Sequence, residues 1–448
     1  MHLKRSESVK LIKHMIFVDI DDGNKLMINS LRGTLDEINA PIYETLSKWR
    51  ICEDITPENE LETELFHSLK ARGYLVDSYL EEIEKKEAIL EVLRKNHKVK
   101  QENQLNITFV MTYDCNFRCP YCFEGDAHVK KAIISPEQID TALKLAGNSL
   151  NNICLFGGEP LLPKTRTIVE YLFSKAPSAT YNIITNGYYL EEFIDLLLDV
   201  KIHSVMVTID GEEEHHNSRR FLEGGEATYQ KIMSGIEKSL ENSIPICIRM
   251  NVDKNNYNAA VILRQKLLDK FDKYKDILTF ETSPILGMDH NDMIELQSKI
   301  SFIDEGHAFE ERIRRNRLLD VNGSIIDYLT LGKNIKPKYS FCYAHEDGMV
   351  FDPYGDLYPC LVCVGNERYP MGKYHPEFEI KENTIRNRHI EKIPECNECI
   401  YSLLCGGGCP MKLPDVTNFF RPVCSSIKNQ IYKDLPVIYK IRREHNLS

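Results

Sequence analysis

The chain carries one tryptophan, Trp49, and no apolar run long enough to cross a bilayer, so no membrane-spanning helix and no membrane partner are expected. It has no internal repeat and no low-complexity tract, which argues against a solenoid or a long disordered arm. Basic residues are in deficit: 56 Lys and Arg stand against 67 Asp and Glu, a net charge of −11 at pH 7. That balance is unfavourable for phosphate contacts, and nucleic acid is not an expected partner. No secretory signal opens the sequence, so its 14 cysteines are expected as reduced thiols in a reducing cytoplasm, not as disulfides.

What the chain has is clustered cysteine. Eleven of the 14 fall in three spaced groups, the first reading Cys115-Asn-Phe-Arg-Cys119-Pro-Tyr-Cys122, directly after an apolar strand-like run at 105–112. Three thiolates on a loop leaving a strand can hold three irons of a [4Fe–4S] cluster. Electron carriers supply a fourth cysteine; here the fourth iron is left open to something else. A zinc site or a fortuitous cysteine loop is the plainer alternative. About 35 residues on, a short apolar strand ends in Gly157-Gly158-Glu159-Pro160. Paired glycines let a backbone approach a ligand that a Cβ would obstruct. Ile183-Ile184-Thr185-Asn186-Gly187 and Val207-Thr208-Ile209-Asp210-Gly211 repeat the design of an apolar strand closing on polar residues and glycine, although turn chemistry alone explains Asn-Gly and Asp-Gly.

Taken together, the Cys-x3-Cys-x2-Cys triplet with Tyr121 before its last cysteine, followed by Gly-Gly-Glu-Pro, resembles the radical S-adenosylmethionine (SAM) enzymes. The resemblance implies that Cys115, Cys119 and Cys122 hold a cluster whose open iron is chelated by SAM. One electron then releases methionine and a hydrogen-abstracting 5′-deoxyadenosyl radical. It further implies SAM contacts from Tyr121, Gly157, Gly158, Glu159, Pro160, Thr185, Asn186 and Asp210. His216-Asn217-Ser218-Arg219-Arg220 also looks familial; otherwise it reads as a solvated loop.

Strand candidates at 105–112, 152–156, 180–185, 203–209, 245–252 and 277–284 alternate with helical patterns. Ser135-Pro136-Glu137-Gln138 is a capping box opening a helix with Ile139, Leu143, Ala146 and Leu150 on one face. Six strand–helix units predict an α/β fold, a partial (β/α)6 TIM-like barrel over 96–325, with its site at the C-terminal strand ends where all four motifs fall.

Further on stand Cys342, Cys360, Cys396, Cys399, Cys405, Cys409 and Cys424, seven ligands where zinc would use four or eight. Their spacing resembles the SPASM extension of radical SAM enzymes, implying a C-terminal iron–sulfur domain over 326–448 with two auxiliary [4Fe–4S] clusters. On that resemblance Cys342, Cys360 and Cys409 serve one, and Cys396, Cys399, Cys405 and Cys424 the other. The first set is one ligand short: either Cys363 completes it or an open iron awaits a substrate thiolate. Cys52, Cys154 and Cys247, in apolar contexts, are expected in the core.

Residues 1–95 read as a separate small domain. Alternating 15–20 and 25–29 flank Asp-Asp-Gly-Asn, a hairpin signal. Thr34-x-x-Glu37 looks like a capping box for a helix facing Ile38, Ile42, Leu46 and Trp49. A second helix carries Leu61, Leu65 and Leu69, and Tyr74-Leu75-Val76 closes a winged-helix-like pattern. By position this segment resembles the PqqD-like precursor-recognition domain, which captures a leader peptide as an added strand. Residues 79–100 read as a charged connecting helix.

The whole resembles maturases of ribosomally made peptides. The implied activity is hydrogen abstraction from a precursor peptide and an intramolecular crosslink, first of all a cysteine thioether. A reductase, flavodoxin or ferredoxin would supply electrons. No catalytic acid or base stands out. An anaerobic sulfatase-type formylglycine maturase is the alternative, weakened because Leu361 stands after Cys360 where that group has an aspartate. A non-catalytic iron–sulfur redox or scaffold protein is the alternative of another class, and a zinc-loaded winged-helix regulator a third.

Overall fold

The structure, a computed structural model, describes residues 9–20, 23–102, 106–147, 150–253, 255–285, 324–325, 328–329, 332–381, 384–412 and 418–444. The N-terminal part opens with β1 (Lys10–Leu11), followed by the antiparallel meander β2 (Met15–Asp19), β3 (Lys25–Asn29) and β4 (Thr34–Ile38). Here the capping-box reading fails. Thr34 to Ile38 pair with β3 as a third strand, and helix α1 (Ala40–Trp49) starts behind a different cap: the Asn39 side chain accepts from the Ile42 N–H at 3.0 Å. Cross-strand pairing satisfies the backbone of 34–38, and Asn39 serves as N-cap for the residues after it. Helix α2 (Glu60–Ala71) leads to β5 (Leu75–Val76), which pairs with β1. The hairpin residues 21–22 lie outside the described residues.

One face of the meander (Ile16, Val18, Leu26, Ile28, Leu35) shares a core with Ile335, Leu404, Ile427, Ile431, Leu435 and Ile438 of the C-terminal region. The connecting helix α3 (Tyr79–Glu102) is charged but not merely a spacer: Glu82 is buried and accepts from the Lys13 and His14 N–H groups, each at 3.0 Å.

Strands β6 (Asn106–Val110), β7 (Asn152–Phe156), β8 (Thr180–Thr185), β9 (Lys201–Thr208), β10 (Ile246–Val252) and β11 (Leu278–Pro284) follow one another as parallel neighbours. This is the expected partial barrel; of its first strand, Leu105 lies outside the described residues. Ser135 caps helix α4 (Pro136–Ala146) reciprocally with Gln138, and Pro136 occupies the first turn. Gly147, at φ +72°, ends that helix short of Leu150. Strand β7 packs on both faces. On β7, Ile153 and Leu155 join the core under the helices, while Cys154 and Phe156 turn inward onto a second core containing Cys342, Cys360 and Cys363.

The C-terminal region also extends the barrel sheet. β12 (Val350–Phe351) pairs in parallel with β6, and β13 (Asp356–Tyr358), β14 (Gly372–Lys373) and β15 (Glu379–Ile380) continue it antiparallel. Of the three other cysteines, Cys247 is buried and Cys154 half-buried, but Cys52 is exposed: it follows the C-cap of α1, where its apolar neighbour Ile51 is itself solvent-facing. Among the described residues no helix is long and apolar enough to cross a membrane.

Candidate functional site

The loop leaving β6 carries Cys115, Cys119 and Cys122. Cys115 is buried and accepts from the Phe117 N–H at 3.4 Å; Cys122 N–H donates to the Cys119 carbonyl at 3.1 Å. Burial raises all three thiols, Cys122 to about 11, and the negative charge of the neighbouring cysteines adds to the rise at Cys115 and Cys122. One buried and two half-buried cysteines with raised thiols suit a centre whose positive charge takes up the thiolates.

The Gly157-Gly158 pair at the end of β7 lets two backbones touch. A Cβ on Gly157 would stand 2.4 Å from the Thr112 carbonyl oxygen, and one on Gly158 2.4 Å from those of Tyr113 and Asp114. The glycines seat β7 directly against the cysteine loop, where Glu159 N–H donates to the Asp114 carbonyl at 2.8 Å.

Glu159 is fully enclosed. Its carboxylate accepts from Leu161 N–H at 2.8 Å, Thr185 Oγ1 at 2.6 Å and Asn186 N–H at 2.7 Å. Burial pushes the carboxyl up to about 7 against those donors. Glu159 therefore welds the end of β7 to that of β8. Glu159→Gln is expected to destabilise the fold by about 1–3 kcal/mol, because its NH₂ would face one of the three donors; a shifted denaturant midpoint at unchanged slope measures this.

Thr185 and Asn186 are likewise held by the protein. Asn186 Nδ2 donates to Asn116 Oδ1 at 2.8 Å and lies 3.8 Å from Cys115 Sγ, while its Oδ1 accepts from Tyr188 N–H at 2.9 Å.

The 216–220 stretch is no solvated loop. It belongs to a short helix (Glu213–Arg219) and its C-cap, with His216 buried against Thr228 Oγ1 at 3.1 Å and held neutral by burial, its pKa lowered to about 3. Beyond it, Phe117 and Leu222 form an antiparallel bridge, and Arg118 N–H donates to the Phe221 carbonyl at 3.0 Å. Buried Arg220 donates to Tyr121 Oη at 2.9 Å, and the Arg219 guanidinium lies 5.0 Å from the Tyr121 ring centroid. Tyr121 Oη in turn donates to the buried carboxylate of Asp210, which also accepts from Asn251 N–H at 3.1 Å. Both guanidiniums thus act on Cys119, and Arg220 also on Cys122, where thiolate charge would develop.

The structure sorts the C-terminal cysteines into two groups. Cys342, Cys360, Cys363 and Cys409 lie within one another's electrostatic reach; Cys360 is held below the ordinary thiol range, its neighbour Cys363 first among the causes, while the Cys363 thiol donates to Met411 Sδ at 3.6 Å. Cys396, Cys399, Cys405 and Cys424 form the other group. Between the two lies a residue the sequence did not single out. Arg388, with no exposed surface, donates to the carbonyls of Phe419 (2.6 Å), Gly408 (2.5 Å), Gly407 (2.6 Å) and Arg421 (2.8 Å).

The Radical SAM superfamily model matches residues 109–261, the segment running from the end of β6 into the helix after β10. The sporulation killing factor maturation protein SkfB of Bacillus subtilis is 28% identical over 158 residues, 34% of this chain and 37% of SkfB, so the chain spans little more than a third of that relative. The fold matches that of anSMEcpe, solved with bound AdoMet and Cp18Cys peptide, at a TM-score of 0.54 and 20% identity over 76% of this chain and 99% of that one. It also matches Streptococcus suis SuiB, solved with its precursor peptide SuiA, at a TM-score of 0.52 and 13% identity over 93% and 100% of the two chains. Residues 109–261, with the cysteine loop and the strand ends that brace it, form a radical SAM domain.

Proposed function

We propose that the chain is a radical SAM peptide maturase that crosslinks a ribosomally made precursor peptide. The observation that carries this reading is that two cysteine sites adjoin one barrel: the loop of Cys115, Cys119 and Cys122 follows β6, and Cys154 and Phe156 of its neighbour β7 pack in a core with Cys342, Cys360 and Cys363. SuiB, solved with a precursor peptide, supports that substrate class, and SkfB is named for a maturation. The residues present fit a [4Fe–4S] cluster with bound SAM at the first site, which when loaded supplies the 5′-deoxyadenosyl radical. Tyr121, Asp210, Arg219 and Arg220 shape the adjoining wall and balance the thiolate charge; Gly157, Gly158 and Glu159 keep the loop in register with the barrel.

Two auxiliary [4Fe–4S] clusters are proposed on the two C-terminal groups. The company Cys363 keeps with Cys342, Cys360 and Cys409 supports it as fourth ligand of the first, so the open iron that favoured a thioether loses weight. A thioether remains the first crosslink to test. The meander and helices before 95 are proposed as a PqqD-like leader-binding unit.

The test is anaerobic reconstitution, reduction with dithionite, SAM, and a small cysteine-containing peptide encoded beside the protein. Expected are 5′-deoxyadenosine, loss of two hydrogens per modification by mass spectrometry, and cysteines resistant to alkylation. Cys119→Ala is expected to abolish deoxyadenosine altogether, and Cys363→Ala to remove auxiliary iron while SAM cleavage persists. Deoxyadenosine with sulfatase peptides modified instead would transfer the assignment to formylglycine formation. No deoxyadenosine from protein with intact clusters would leave an iron–sulfur redox or scaffold role.

A further inference from the structure

Strands turn alternate side chains to opposite faces. Ile248 and Met250 of β10 and Phe280 of β11 join the core under the helices, so Arg249, Asn251, Glu281 and Ser283 face inward. The inner wall is divided. On β6 to β8 it is apolar, with Val110, Phe156 and Ile184 packed in the core that holds Cys342, Cys360 and Cys363. On β10 and β11 it is polar, and Arg249, Asn251, Glu281 and Ser283 are only half-buried.

Arg249 lies two residues before Asn251, about 7 Å along the strand. The Asn251 N–H is bound to Asp210, the partner of Tyr121, so a guanidinium is mounted one step below the wall that adjoins the cysteine loop. Its Nε donates to Asn251 Oδ1 at 3.2 Å and its Nη2 to Ser283 Oγ at 2.8 Å, while Nη1 lies 3.8 Å from Met206 Sδ. Glu281, its register partner on β11, stands 3.6 Å from Nη1, too far for a hydrogen bond. The two side chains keep 31% and 38% of their surface accessible.

A guanidinium aimed by neutral acceptors and only loosely paired suits a carboxylate, which its planar fork can take at two points. We infer that Arg249 anchors a carboxylate of the peptide inside the barrel, an Asp or Glu side chain or the C-terminus, and so selects which residue reaches the radical. The inference rests on the peptide-maturase reading above. Glu281 competes for the same guanidinium until the peptide displaces it.

The test measures kcat/KM for modification of the peptide encoded beside the protein, with full-length enzyme and dithionite. The peptide is used as encoded, with each Asp or Glu changed in turn to Asn or Gln, and with its C-terminus amidated. Arg249→Gln and neutralisation of the anchored carboxylate should each lower kcat/KM about tenfold to a hundredfold. Together they should lower it no further than either alone. An arginine with a purely structural role would instead slow every peptide form alike. The form that shows the coupling tells a side chain from the C-terminus. Arg249→Lys should keep part of the rate, since it retains the charge but not the fork. Glu281→Gln removes the competitor and should raise kcat/KM several-fold for the encoded peptide but not for its neutralised form; it decides the matter should Arg249→Gln fail to fold. Additive losses for every carboxylate, or a Glu281→Gln variant that treats encoded and neutralised peptides alike, would overturn the proposal. A wild-type protein that leaves the peptide unmodified would overturn the maturase reading, and this inference with it.

Discussion

Arg388→Met is expected to cost about 4 kcal/mol of stability and to empty the auxiliary iron sites proposed above. The guanidinium is sealed from solvent and spends its Nε, Nη1 and Nη2 groups on four carbonyls from two separated stretches, 407–408 and 419–421. Those stretches bracket Cys409 and lead into Cys424, one thiol from each group. Burial lowers the guanidinium's pKa, opposed by the negative charge that Cys396, Cys405, Cys409 and Cys342 can carry. Removing the donor leaves buried carbonyls unpaired, and breaking such a buried polar anchor typically costs about 3–5 kcal/mol. Arg388→Lys should rescue little, because an ammonium on a flexible stem cannot reproduce a planar fork. Iron analysis of the reconstituted variant, with its electron paramagnetic resonance spectrum, separates the sites. Auxiliary signals should vanish while the SAM-responsive signal persists. A variant with full iron and a wild-type unfolding midpoint would show that the glycine loop holds the cysteines unaided.

How far the chain could be read before its structure follows from the reach of each signal. The barrel was legible because each strand is an apolar run stopped by polar residues and glycine, and because Ser135 and Gln138 make a local capping box. Thr34-x-x-Glu37 misled because the same four letters suit a strand end, and only the partner β3, absent from any local window, decides. Cys52 was misplaced for a related reason: apolar neighbours suggested a core, yet Ile51 is 87% exposed. The strands β12 to β15 are two or three residues long, too short to show a period. Arg388 left no trace, since the carbonyls that define its role lie 19 to 33 residues away along the chain. At the candidate site the division of labour among the residues was not legible. Glu159 and Thr185, expected against SAM, also bond each other at 2.6 Å.

That division of labour makes Gly158→Ala the sharper test of the radical site, with SAM cleavage expected to fall about a hundredfold. Gly158 has no left-handed backbone to protect, so any effect must be steric. Its added methyl would press on two carbonyl oxygens at 2.4 Å, both belonging to backbone that leads straight into Cys115. Neither oxygen can swing aside as a side-chain tip could. Either the loop of the three cysteines or the Gly-Gly-Glu-Pro strand end must shift, and a displacement of about 1 Å at reacting groups costs on the order of a hundredfold in rate. Overpacking of this kind adds about 1–3 kcal/mol of instability, so the variant should still fold. Gly125→Ala, three residues beyond Cys122, is the matched control: among the described residues nothing lies within 4 Å of its Cβ, and its backbone is not left-handed. It should cleave SAM like the wild type. Deoxyadenosine yield per cluster, measured on both variants with dithionite, reads the contrast directly. Equal yields would mean that the cysteine loop tolerates movement against β7, and that the close seating of the two glycines serves folding more than the reaction.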